Sequence, residues 1–161
     1  MMGRKEKAAI VLLRIATGWH FLYEGLVKLT DPSFSAAAYL KGSKGVIRYI
    51  YEHYMHTPAR MFWVDTINIT ALLMVGAGLL FGVAIRKSAF AGMILLFLYY
   101  SAYPPFSGED SIGGSFFIVD RNLIEFLVLF YIAQTPAAQN FSISKAWSVS
   151  TNRELNSNNG K

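Results

Sequence analysis

The chain has no cysteine among its 161 residues, and that absence removes several chemistries at once. Disulfides, thiolate-held iron–sulfur clusters, covalently attached haem c and a thiol–disulfide relay are all excluded within this chain. Any redox chemistry must use a bound cofactor or another subunit. Charge is scarce too: 16% of residues are Asp, Glu, Lys or Arg, against 53% hydrophobic and 15% aromatic. A small soluble fold carries about a quarter charged residues, so this balance predicts a membrane protein. There is no internal repeat and no low-complexity core. The net charge of +5 is spread in short basic groups beside apolar runs, where it sets orientation in a membrane; nucleic acid is not an expected partner.

Four apolar runs predict four spans, at about residues 8–29, 60–84, 88–103 and 120–135. The third ends at Pro104-Pro105 and the fourth near Pro136, because proline cannot continue a helix. Spans of about 16 residues rise only about 24 Å and need a thinned bilayer or interfacial anchors; Tyr99, Tyr100 and Tyr103 suit that role. The N-terminal run superficially resembles a signal peptide. It is too long, carries charges and lacks a small-residue cleavage site, so it reads as a retained helix.

Arg4, Lys5 and Lys7 precede the first span, Arg86 and Lys87 fill the second connection, and Lys145, Arg153 and Lys161 lie in the tail, whereas the third connection carries Glu109 and Asp110. The positive-inside rule then predicts an inner-membrane protein with both termini in the cytoplasm. Lys41, Lys44, Arg48 and Arg60 in the first connection are a counter-signal. In that connection Lys44, Arg48, Glu52 and His56 recur every fourth residue among apolar neighbours, which predicts an amphipathic interfacial helix over residues 44–56. Asp31-Pro32 and Thr57-Pro58 each place a capping side chain before a proline suited to a first helical turn. Residues 137–161 read as a polar, partly disordered cytoplasmic tail. The expected fold is therefore all-α: a membrane four-helix bundle over residues 1–136 with an additional amphipathic helix in the first connection.

Charge inside hydrocarbon is costly and marks function or a buried partner. The first span carries Arg14, His20, Glu24 and Lys28, which share roughly a third of a helix circumference, while Leu12, Trp19, Leu22 and Leu26 take the opposite, lipid-facing side. Alternating chain direction brings Glu24 and Lys28 to the same outer level as Asp65 and Asn68 of the second span, Asn122 and Glu125 of the fourth and the tyrosines ending the third. Arg14 lies about two turns nearer the cytoplasm. In the second span Gly78 and Gly82 form a small-xxx-small pair that suits close helix packing. His53 and His56 have metal-pair spacing but no third convergent ligand, and no metal site is expected. His20 reads as a hydrogen-bonded core histidine, since no other span offers a second histidine to ligate haem.

These residues resemble the DoxX family. The resemblance lies in Arg14-Ile15-Ala16-Thr17-Gly18 followed by Glu24-Gly25-Leu26-Val27-Lys28-Leu29, in the glycine-bearing second helix leading to Ile85-Arg86, in Tyr99 to Pro105 and in Asp120 to Glu125. It implies a four-helix inner-membrane protein whose relatives include the small membrane subunit of thiosulfate:quinone oxidoreductase. Two functions follow as expectations. In the first, the chain is a membrane subunit of a quinone-linked oxidoreductase, working with a soluble or membrane oxidoreductase partner. Glu24, Lys28 and Glu125 then do the acid–base work, and Arg14, His20, Trp63, Asp65, Asn68, Tyr99, Tyr103 and Asn122 line the quinone site. Lys28, Asn68 or a tyrosine donates to a ring carbonyl, Glu24 or Glu125 relays protons, and Trp63 or Tyr99 stacks on the ring. In the second, the chain is a non-catalytic scaffold or assembly protein whose buried charges fix helix register. A solute carrier is disfavoured, because four short helices show no broken-helix repeat. The oligomeric state is left open.

Overall fold

The computed structural model describes residues 3–104 and 118–139, and these are helical apart from turns and short connections. Helix α1 spans Arg4–Thr30, α2 Ala37–Gly42 and α3 Gly45–Ile50, which runs into a wide π-type turn at Tyr51–Met55. Then come α4 (Pro58–Phe81), α5 (Ile85–Ala102), α6 (Arg121–Gln134) and a 3₁₀ turn at Pro136–Gln139. Glu109 and Asp110 of the third connection, and residues 140–161 of the expected 137–161 tail, lie outside the described residues.

Local chemistry sets the ends of these elements. Pro58 occupies the first turn of α4 behind Thr57, where its missing N–H costs nothing. Asp120 caps α6, its carboxylate accepting from the Leu123 N–H at 2.8 Å. Asp31-Pro32 does something other than start a helix. Asp31 ends α1 and accepts from the Ser33 N–H at 2.9 Å and hydroxyl at 2.6 Å, an Asx turn that redirects the chain. The Ser33 hydroxyl, followed by its N–H, holds the Asp31 carboxyl below the usual carboxylate range.

The second long helix stops at Phe81, short of the expected Ala84, because Gly82 adopts φ 71° and ψ 31° while its N–H returns to the Gly78 carbonyl. That left-handed cap is open to glycine at little cost. Ala84, at φ 48°, takes a similar conformation with a Cβ present, so the reversal into α5 is tight and mildly strained.

Helix α1 packs along α4, and α5 packs along both α6 and α4. The α1–α4 contact is a backbone approach. A Cβ on Gly76 would collide with the Leu22 backbone, one on Gly18 would lie 2.6 Å from the Leu80 nitrogen, and one on Gly25 would lie 2.9 Å from a Leu73 methyl. Leu22 is accordingly partly buried against α4 and does not join Leu12 and Trp19, which face outward at 66% and 56% exposure. Gly76 makes the close approach that the Gly78/Gly82 spacing suggested. Gly82 is spent on the cap, and Gly78 faces Ser88 across the turn.

The apolar core, including Phe21, Val75, Leu79, Met93, Leu129 and Ile132, fills the end of the molecule near the α4–α5 turn. Arg14 sits at this end. It is buried at 1% exposure, and its Nη1 donates to the Ala138 carbonyl at 2.6 Å, tying the 3₁₀ turn beneath α1. The polar groups gather at the opposite end.

Candidate functional site

Four long helices bring polar side chains to one end of the molecule, the acids and bases from α1 and α6 and an amide and a phenol from α4 and α5. His20, Glu24 and Lys28 recur every fourth residue on α1, so they stand above one another on a single face. Glu125 projects from α6 to meet them, its Oε1 3.3 Å from the His20 Nε2. The Glu24 carboxylate lies 3.7 Å from the Lys28 ammonium, with the acid one turn before the base as a helix favours. Lys28 also lies over two rings, 5.7 Å from the Phe34 centroid and 5.6 Å from that of Tyr99. Both distances suit a cation–π attraction. The Tyr99 hydroxyl donates to the Asn68 side-chain carbonyl, bridging α5 to α4. With its oxygen engaged, the Asn68 amide keeps its NH₂ for a further acceptor.

These groups surround a cavity of about 810 Å³ between α1, α4, α5 and α6. Its walls are chiefly apolar, from Phe21, Ile67, Leu72, Ile94 and Leu95, and its polar groups are concentrated toward one end. A large apolar pocket with a few convergent polar groups is the usual form of a small-molecule site.

The first connection covers that polar end. Phe34, Tyr39 and Leu40 before α3, Ile47 and Ile50 within it, and Met55 after it all line the cavity. Hydrogen bonds secure the cover. Tyr39 donates to the Tyr99 carbonyl at 3.1 Å, Tyr103 donates to the Tyr39 carbonyl at 2.7 Å, and the Lys44 N–H reaches the Ala102 carbonyl at 2.9 Å. Burial, reinforced by Tyr103 and Tyr99, pushes the Tyr39 phenol well above the ordinary tyrosine value.

Eight of the sequence candidates line this cavity: His20, Glu24, Lys28, Asn68, Tyr99, Tyr103, Asn122 and Glu125. Three lie elsewhere. Trp63 is 64% exposed, because it sits about 100° around α4 from the lining residue Val64. Asp65 accepts from the Ala36 N–H at 2.7 Å, anchoring the connection to α4. Arg14 is about 15 Å down α1 from Glu24 and serves the Ala138 turn. Sequence reasoning missed Phe34 and Tyr39, and also Asp120 and Arg121 at the start of α6, which line the cavity. The charges next to Asn122 were a visible signal for the last two.

The family model for DoxX matches residues 9–102, more than half of the chain. The chain belongs to the DoxX family. No curated protein and no solved structure shows significant similarity to it. The match takes in His20, Glu24, Lys28, Asn68 and Tyr99, while α6 with Glu125 lies beyond it. As a DoxX member this is a membrane protein, and α1 and α4 are each long and apolar enough to cross a bilayer. Its outward surface agrees: Leu12, Trp63, Met74, Phe90 and Phe97 are all exposed, an apolar face suited to lipid.

Proposed function

We propose that this DoxX protein binds a quinone in the cavity between its helices and serves as the membrane subunit of a quinone-linked oxidoreductase. In this reading α1, α4, α5 and α6 all cross the inner membrane as a four-helix bundle formed by residues 1–136, and α2 and α3 lie at its outer interface. The termini are cytoplasmic, with Arg4, Lys5, Lys7, Arg86 and Lys87 on the inner side, as the positive-inside rule requires. Helices α5 and α6 have 18 and 14 residues, a rise of about 27 and 21 Å. Local thinning of the bilayer accommodates them.

The observation that carries this reading is the composition of the cavity: an apolar slot with lysine and amide donors beside carboxylates, Glu24 and Glu125 among them, at one end. A quinone needs those features. Its ring partitions into apolar space, its carbonyls need donors, and two-electron reduction takes up two protons. Lys28 and Asn68 are the donors, Glu24 and Glu125 relay protons, and Tyr99 is the aromatic wall beside Lys28. The electrons come from a partner oxidoreductase subunit. A positioned acid–base group accelerates proton transfer by about 10²–10⁴-fold.

A scaffold role is the second reading, favoured by the mutual pairing of Glu24 with Lys28 and of His20 with Glu125. Mass spectrometry of lipid-soluble compounds co-purified with the membrane-embedded protein separates the two. Bound quinone, together with a Glu24→Gln variant that stays folded but loses quinone-dependent electron transfer, supports the first reading. No quinone, and a variant that merely melts earlier, supports the second.

A further inference from the structure

We infer that the ligand's hydrocarbon tail leaves the cavity sideways, through a window between α4 and α5, so that the site is loaded from the bilayer. This rests on the quinone reading above and adds the orientation and route of the bound molecule.

Residues that line a cavity and also face the outside mark its mouth. Ile94 and Leu98 on α5 do both, at 63% and 49% exposure, and Ile67 on α4, one residue before Asn68, does so at the edge of the mouth at 65%. The two antiparallel helices are joined at two levels, and these levels frame the opening. On the polar side Tyr99 bonds Asn68. On the core side Val75 meets α5 at Gly92, where a Cβ would lie 3.1 Å from the valine methyl. Seven residues separate Asn68 from Val75, about 10 Å along the helix, which is room for a single hydrocarbon chain. Ala71 on α4 and Ile94 and Leu98 on α5 line the cavity within this interval, and the alanine leaves space there.

Chemistry assigns the two ends of the ligand. The donor Asn68 stands at the bridged end of the window and Lys28 beside it, over the Tyr99 ring, while the window is lined by alkyl groups on helix faces that meet lipid. The competing aqueous route is covered by the first connection, which is held to α5 through Tyr39 and Tyr103 and to α4 through Asp65. An amphiphile with a carbonyl-bearing ring and an alkyl or isoprenoid tail fits with its ring at the polar end and its tail among Ile67, Ile94 and Leu98. A tail in that position stays in hydrocarbon throughout, at no transfer cost.

The test compares binding of a tail-less benzoquinone and the same ring bearing a decyl tail to protein in lipid nanodiscs. Ile94→Trp and, independently, Ala71→Trp place an indole in the window. Each should weaken the decyl compound tenfold or more while leaving the tail-less ring within twofold of wild type. An unchanged ratio between the two compounds in both variants overturns the window. A photoreactive group at the end of the tail should label Ile67, Ile94 or Leu98, and labelling confined to residues 34–55 overturns it as well. Wild-type protein that binds neither compound overturns the quinone reading and the window with it. Binding of the tail-less ring alone would leave the quinone reading standing and overturn the tail's route.

Discussion

Glu125 on α6 reaches across to His20 on α1, carboxylate oxygen to imidazole Nε2 at 3.3 Å, and so links two helices that otherwise touch sparingly. The His20 side chain is 38% exposed and that of Glu125 21%, both toward the cavity. A histidine–carboxylate contact this open adds less than about 1 kcal/mol to stability. Glu125→Gln keeps the shape and removes the exchangeable charge. It should shift the melting temperature little while lowering quinone-dependent electron transfer by at least about tenfold, consistent with loss of a general acid–base group. Thermal melts and steady-state turnover of the same preparation check this, and a matched fall in both would identify Glu125 as structural.

Gly76 carries the α1–α4 contact, and without a strong hydrophobic drive between helices in lipid such backbone approaches supply much of the association. A Cβ there meets the Leu22 backbone nitrogen and Cα, atoms that cannot rotate away. Gly76→Val should therefore force the helices apart and lower stability by about 1–3 kcal/mol, the range for overpacking. Gly45→Ala, with φ 60° but no neighbour within 4 Å of a Cβ, costs only backbone strain of about 1 kcal/mol. Denaturation of both variants in the same detergent distinguishes the two mechanisms.

Much of this arrangement was legible in the sequence. Apolar runs broken by prolines located the four long helices, and helical phase together with alternating chain direction brought Glu24, Lys28, Asn68, Tyr99 and Glu125 to one cavity. Phase also explains Trp63, which falls about 100° from Val64 and so faces out. Leu22 was misread because a glycine on the facing helix widens the buried arc beyond what one helix's own pattern shows. Tyr39 and Phe34 were not legible at all. Their positions depend on the Tyr103, Asp65 and Lys44 contacts, which are separated by 29 to 64 residues in the hydrogen bonds to Ala36 and Tyr39. No local periodicity records them.

Arg14 lies in the sequence pattern that marks the family resemblance, yet its guanidinium is spent on the Ala138 carbonyl, away from the cavity. A charge-assisted hydrogen bond of this kind contributes about 1.5–3 kcal/mol. Arg14→Met should cost at least that much stability, and Arg14→Lys should recover only part of it, because an ammonium cannot reproduce the planar fork. Quinone affinity of the folded fraction should be unchanged in both. A selective loss of affinity at normal stability would place Arg14 back among the ligand-binding residues.

Tyr39 gives the cover over the cavity a pH dependence whose sign can be worked out. Burial is the first cause of its raised phenol pKa, followed by Tyr103, Tyr99 and Asp120, so the folded chain keeps the neutral form. Unfolded tyrosine ionises near about pH 10. The stabilisation is thus fully present below that pH and is lost as pH rises further, toward the folded-state pKa. Ionisation would also abolish the hydrogen bond that Tyr39 donates to the Tyr99 carbonyl, releasing the connection from α5. Protease sensitivity at residues 31–57 should therefore increase above about pH 10, together with tyrosinate absorbance. Tyr39→Phe should lose about 1 kcal/mol at neutral pH and show a flatter alkaline limb, because the group that titrates has gone.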